Sequence, residues 1–187
     1  MKHKENTNDV GDIRVGGGSM KRKKWTTKKD NEGNGIFVLG EKPERLPKAT
    51  FISLTRGEGL NLFQLFVNQL LTLMVMNQMK KSTGLIYAEL SGELKKGKGN
   101  GQTMTVWDGK MMPEFRNKSS HGFAMKFFGW VIHRRNTKTY YLTFPANGKI
   151  PSPAEATDLL REYGKFYDGG KLARKATLPK KEETIIH

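Results

Sequence analysis

LNLFQLFVNQLLTLMVMNQM, Leu60 to Met79, is a run of twenty residues without a single charge. Asn61, Gln64, Asn68 and Thr72 recur three or four apart, so they form one narrow polar stripe of a helix. Leu, Phe, Val and Met fill the other faces. Lys80 and Lys81 follow, where cations complement the negative end of a helix, and Gly84 is a fitting stop. The pattern predicts a helix over 60–81. Its length equals a membrane span. However, Asn61, Gln64, Asn68, Gln69, Asn77 and Gln78 would each need a partner in hydrocarbon, and no interfacial anchors flank the run. No membrane partner is therefore expected. Two readings remain. The helix is a core element covered on nearly every face, or one face packs on this chain's sheet while another meets a partner subunit, because a small chain has limited surface to cover it. The second reading predicts a homo-oligomer through the 60–79 helix.

Beyond this helix the apolar period changes from 3.6 to 2. Leu85–Leu90 reads as a strand, and Gln102–Trp107 sets Met104 and Val106 opposite Thr103, Thr105 and Trp107. Lys95 to Gly101 between them reads as a flexible, basic hairpin loop. Phe123–Arg134 is the longest strand candidate, and Thr139–Phe144 is expected to pair with it through Arg135–Lys138. On the N-terminal side, Ala49–Thr55 alternates as a strand, with Gly57 and Gly59 as the turn into the helix. Ile36–Leu39 is a shorter strand, and Glu41–Lys48, with Pro43 and Pro47, a connector. Ser152 or Pro153 opens a helix over 153–166, with Glu155 in its first turn. The expected class is α+β: an antiparallel sheet of four or more strands against a long apolar helix (60–81) and a C-terminal helix (153–166), with flexible basic tails. This order is similar to that of the single-stranded nucleic-acid-binding folds of the Pur and Whirly families; the resemblance is architectural and assigns no site.

At 187 residues, with 36% hydrophobic residues, the chain has room for one domain and two tails. Residues 1–34 are polar and Gly-rich and read as a disordered basic arm. Residues 35–167 read as the domain, and 168–187 as a second basic tail. Thirty-three Lys and Arg against eighteen Asp and Glu leave a net charge of +15. A field of that size and sign recruits polyanions, chiefly nucleic acid. There is no cysteine, which excludes disulfides, thiolate metal sites and a cysteine nucleophile. The N-terminal stretch has no apolar signal-peptide core, so an intracellular location, cytoplasmic or nuclear, is expected.

Binding a nucleic acid requires cations for phosphates and flat rings for unstacked bases. Lys21, Arg22, Lys23, Lys24, Lys28 and Lys29 surround Trp25 in the arm. Lys95, Lys96 and Lys98 lie in the hairpin loop. Read as a strand, Phe123–Arg134 puts Lys126, Phe128, Trp130 and Arg134 on one face, and Arg135, Lys138 and Tyr140 belong to the same hairpin. If that face is instead covered, Phe128 and Trp130 are core and Lys126 snorkels past them. The four histidines, at 3, 121, 133 and 187, have no metal-ligand spacing. Ser119-Ser120-His121 places a nucleophile beside a base in sequence alone. No cofactor, metal site or enzymatic activity is expected. The pattern points to a sequence-tolerant binder of single-stranded DNA or RNA acting as an oligomer. The alternative is a packaging protein of the viral nucleocapsid or coat type, whose basic arm neutralises a genome.

Overall fold

Alternating side chains and tight turns build the described residues around one antiparallel sheet. The computed structural model describes residues 24–29, 34–47, 49–109, 122, 126–127, 136–146 and 148–178. In chain order these form β1 (Trp25–Lys29), β2 (Gly35–Leu39), β3 (Thr50–Leu60), α1 (Leu62–Lys81), β4 (Leu85–Lys95), β5 (Lys98–Asp108), β6 (Lys138–Pro145), α2 (Pro153–Tyr163), β7 (Lys165–Asp168) and β8 (Lys171–Arg174). The strand order is β1-β2-β4-β5-β3-β6-β7-β8. Every neighbouring pair is antiparallel. The α+β class and the antiparallel sheet are thus present, with eight strands.

Successive residues of a strand point to opposite faces, and here each face receives its own helix. Ile52, Leu54, Met104, Val106, Leu142 and Phe144 meet Ala156, Leu159 and Leu160 of α2. Ser152 caps α2 through a reciprocal capping box with Glu155, and Pro153 stands at the first helical position. On the opposite face, Leu39, Leu85, Ala88, Leu90 and Trp107 pack against Met79, Val75 and Met76 of α1. A residue parity of one therefore separates Val106 from Trp107, both essentially fully buried. Asn61 and Gln64 cap the start of α1 through the same kind of box.

Several boundaries differ from the sequence reading. Trp25–Lys29, inside the expected arm, is a strand because its alternation and its pairing with β2 outweigh its charge. Gly57 and Gly59 do not turn the chain; β3 continues through both to Leu60, with a register irregularity on the way. The basic loop Lys95–Gly101 is a two-residue turn. Lys96 and Gly97 both take positive φ, +50° and +73°, the conformation that matches the twist of a tight hairpin. Gly169 and Gly170 repeat the device, so residues 165–174, split in the reading between the end of the helix and the tail, add β7 and β8 instead. Phe166 closes that edge by stacking on Tyr140, ring centroids 4.7 Å apart.

The expected strand 123–134 is also revised where it is described. Lys126 and Phe127 are helical, as is Gly122 just before it. An apolar run with Phe123 and Phe127 four apart suits a helix as well as a strand, and periodicity alone cannot separate the two. Accordingly β6 finds its neighbours elsewhere, in β3 and β7.

Candidate nucleic-acid interface

Helix α1 is held to the sheet at its two ends. At the first turns, Leu65 packs on Leu60 and lies directly over Gly99, where any β-carbon would collide with it. At the last turns, Met79 is buried and the Trp25 indole Nε1–H donates to the Met76 carbonyl at 3.1 Å. Between these pins the helix stands off, and a cleft of about 700 Å³ separates it from the strands.

The orientation of α1 reverses the usual arrangement of an amphipathic helix. Asn68, Gln69 and Thr72 line the cleft beside Leu65, Phe66, Leu73 and Met76, whereas Leu62, Phe63, Leu70 and Met74 lie outside it, 44–68% exposed. A covered core helix is therefore not what forms. Among its residues only Gln64, Leu71 and Met79 are buried. No helix among the described residues is long and apolar enough to cross a membrane.

The floor of the cleft carries few side chains. Gly57 pairs with Gly101, and Gly101 with Gly92. Ile36 pairs with Ser91, which brings the preceding Gly35 beside Gly92. Four glycines from four adjacent strands thus form one row, all of them lining the cleft. Phe37 of β2 and Phe66 of α1 flank it, each ring partly exposed.

Cations gather at the end of the sheet where this row lies. Lys29 pairs with Gly35 across β1 and β2. Lys96 and Lys98 sit at the β4–β5 tip, and Lys138 opens β6 beside Glu58. All four lysines are exposed. Among the described residues, no carboxylate forms an ion pair with them. Of the nearby acids, Asp168, the β7 partner of Lys138, is exposed, whereas Glu58 and Glu93 are engaged by arginines. Arg56 bonds Glu58 at 2.7 Å and lies 3.6 Å from Glu93, while Arg161 bonds Glu58 at 3.0 Å. Burial raises the Glu58 carboxyl, and the two guanidiniums more than offset this, leaving it below its usual value. The Arg56 guanidinium also donates to Gln102, which bonds the Pro153 carbonyl and the Thr157 hydroxyl. The charges of Glu58 and Glu93 are thereby tied down beneath the rim, where four exposed lysines outnumber the one exposed carboxylate, Asp168.

The sequence-predicted residues distribute unevenly over this arrangement. Lys96, Lys98 and Lys138 come together at the rim; Lys95 ends β4, and its side chain lies outside the described residues, as do Lys21, Arg22, Lys23, Phe128, Trp130, Arg134 and Arg135. Lys24 and Lys126 are exposed. Two of the expected aromatics are engaged within the fold. Trp25 is a strand residue bonded to α1, since an indole N–H seeks a partner when partly buried. Tyr140 is 8% exposed beneath α2, stacked on Phe166, and offers no face to a ligand. Lys29 comes from the basic run around Trp25; sequence reasoning missed Phe37, Phe66 and the glycine row. Phe37 and Phe66 read as core within apolar runs, and the glycines become neighbours only through strand register.

Among the described residues, no group of three or more His, Asp and Glu side chains could hold a metal ion. No family model and no curated protein sequence matches the chain.

Proposed function

We propose that the protein binds single-stranded nucleic acid with little sequence preference and acts as an oligomer through α1. The carrying observation is the line of exposed lysines, Lys29, Lys96, Lys98 and Lys138, beside an aromatic-walled cleft. The lysines supply phosphate contacts whose strength falls with salt. Phe37 and Phe66 supply rings for unpaired bases, each stacked base contributing about 1–3 kcal/mol. A duplex conceals its base faces and gains only the first of these. The exposed stripe of α1 supports self-association, because monomeric proteins rarely leave such contiguous apolar surface open.

The same stripe favours a second reading, a packaging subunit of the viral nucleocapsid or coat type that self-assembles while lysines neutralise a genome. Fluorescence-anisotropy titration of single- and double-stranded oligonucleotides over a salt series separates the two. A single-strand preference that persists at about 200 mM salt supports the stacking binder. Equal affinity for both forms, with a steep salt slope, turns the assignment to packaging.

A further inference from the structure

We infer that the glycine row under α1 seats an unstacked nucleobase of the bound strand, an inference that rests on the single-strand binding proposed for the cleft. Glycine inside a strand costs roughly 0.5–1 kcal/mol relative to alanine, so four in one row need a reason. Packing provides none. A β-carbon at Gly35 would meet nothing within 4 Å, and at Gly57 only the Leu60 Cδ1 at 3.7 Å. At Gly92 it would meet the Asn100 carbonyl at 3.5 Å, and at Gly101 the Asn68 Nδ2 at 3.9 Å and the Ser91 carbonyl at 4.0 Å. All of these are ordinary contacts. None of the four glycines has positive φ, so backbone conformation does not demand them either. Gly99 is the contrast, because there Leu65 occupies the space. Strands without side chains offer a flat surface that another group can approach closely.

The walls select the occupant. Phe37 and Phe66 give it rings to stack on, Leu65, Leu73, Met76 and Leu90 add apolar surface for its faces, and Asn68, Gln69 and Thr72 offer neutral donors and acceptors to its edge. Among the described lining residues the only charge is Glu93, whose carboxylate accepts from Asn100 at 2.9 Å and lies 3.6 Å from Arg56. A phosphate finds no cation inside, and an acyl chain leaves the amides unanswered. A flat, uncharged heterocycle with hydrogen-bonding edges satisfies all three walls. The base lies on Gly35 and Gly92, the exposed end of the row, with Asn68 over Gly101 at the back. Its phosphates remain at the rim, beside Lys29, Lys96 and Lys98.

The test compares a single-stranded 12-mer with an abasic strand of equal length, which keeps the phosphates and lacks the bases. The full-length protein is expected to bind the base-bearing strand about tenfold tighter, the lower range of one stacking contact. Gly92→Val fills the floor and is expected to erase that difference, with abasic affinity unchanged. Its melting temperature is expected to hold or rise, because a valine suits a strand and has room here. Gly92→Ala and Asn68→Leu supply the same comparison if the valine variant fails to fold. Variants that discriminate as the parent does overturn the base seat and leave single-strand binding itself standing. Variants that lose stability while discriminating normally assign the glycines to sheet curvature, which also overturns it. Failure of the parent to bind either strand removes the underlying proposal instead.

Discussion

Glu58 shows how a single carboxylate can support a positive rim. It stands opposite Lys138 in the pairing of β3 with β6, and Arg56 and Arg161 engage it. Because its carboxyl titrates below the usual 4.5 in the folded protein, its contribution is fully present above that value. It is lost as the pH falls through the lowered folded value. Glu58→Gln is therefore expected to destabilise the protein at neutral pH by about 2 kcal/mol, between surface and fully buried ion pairs. The variant should also flatten the loss of stability that the parent shows on acidification below about pH 4.5. Thermal melts over an acid-to-neutral series check both. An unchanged acid limb would remove Glu58 from the group that sets it.

The inverted amphipathicity of α1 dominates at the scale of elements. Asn68, Gln69 and Thr72 lie on its cleft side, and Leu62, Phe63, Leu70 and Met74 turn outward. A helix that buries so little on its own sheet is held by its ends, at Leu65 and Met79. If the outer stripe joins protomers, Phe63→Lys with Leu70→Lys should lower the oligomeric state seen by sedimentation velocity and leave the monomer folded, since both side chains are exposed. A double variant of unchanged sedimentation would place the subunit interface elsewhere. The β4–β5 turn makes a separate prediction. Gly97→Val forces a β-branched residue to φ +73° and is expected to cost about 1–2 kcal/mol by chemical denaturation.

For the whole molecule, the sheet sorts charge by face and by end. Glu58 and Glu93 are engaged by arginines on one side, and four exposed lysines, with Asp168 beside Lys138, are left along the end. Replacing Lys96, Lys98 and Lys138 by Gln should lower the salt slope of single-strand binding by about 0.7 for each phosphate no longer neutralised, roughly 2 in all. A slope that does not move would assign phosphate binding to other cations of this +15 chain.

Local pattern was enough for much of the framework. The alternation in Gln102–Trp107, the uncharged run from Leu60 and the Ser152–Glu155 cap each name their own element, because period and capping are properties of neighbouring residues. The basic hairpin tip was legible for the same reason. Tertiary structure alone decided what those elements face. Strand register aligns the hairpin pair Gly92 and Gly101 with Gly35 and Gly57 from distant strands, and no local signal encodes that meeting. Tyr140 and Trp25 look like binding aromatics in sequence, but Phe166 and the Met76 carbonyl claim them in space. The outward turn of α1 is likewise tertiary. A nearly all-apolar helix has no strong preferred face of its own, so the pins at Leu65 and Met79 choose the side that meets the sheet.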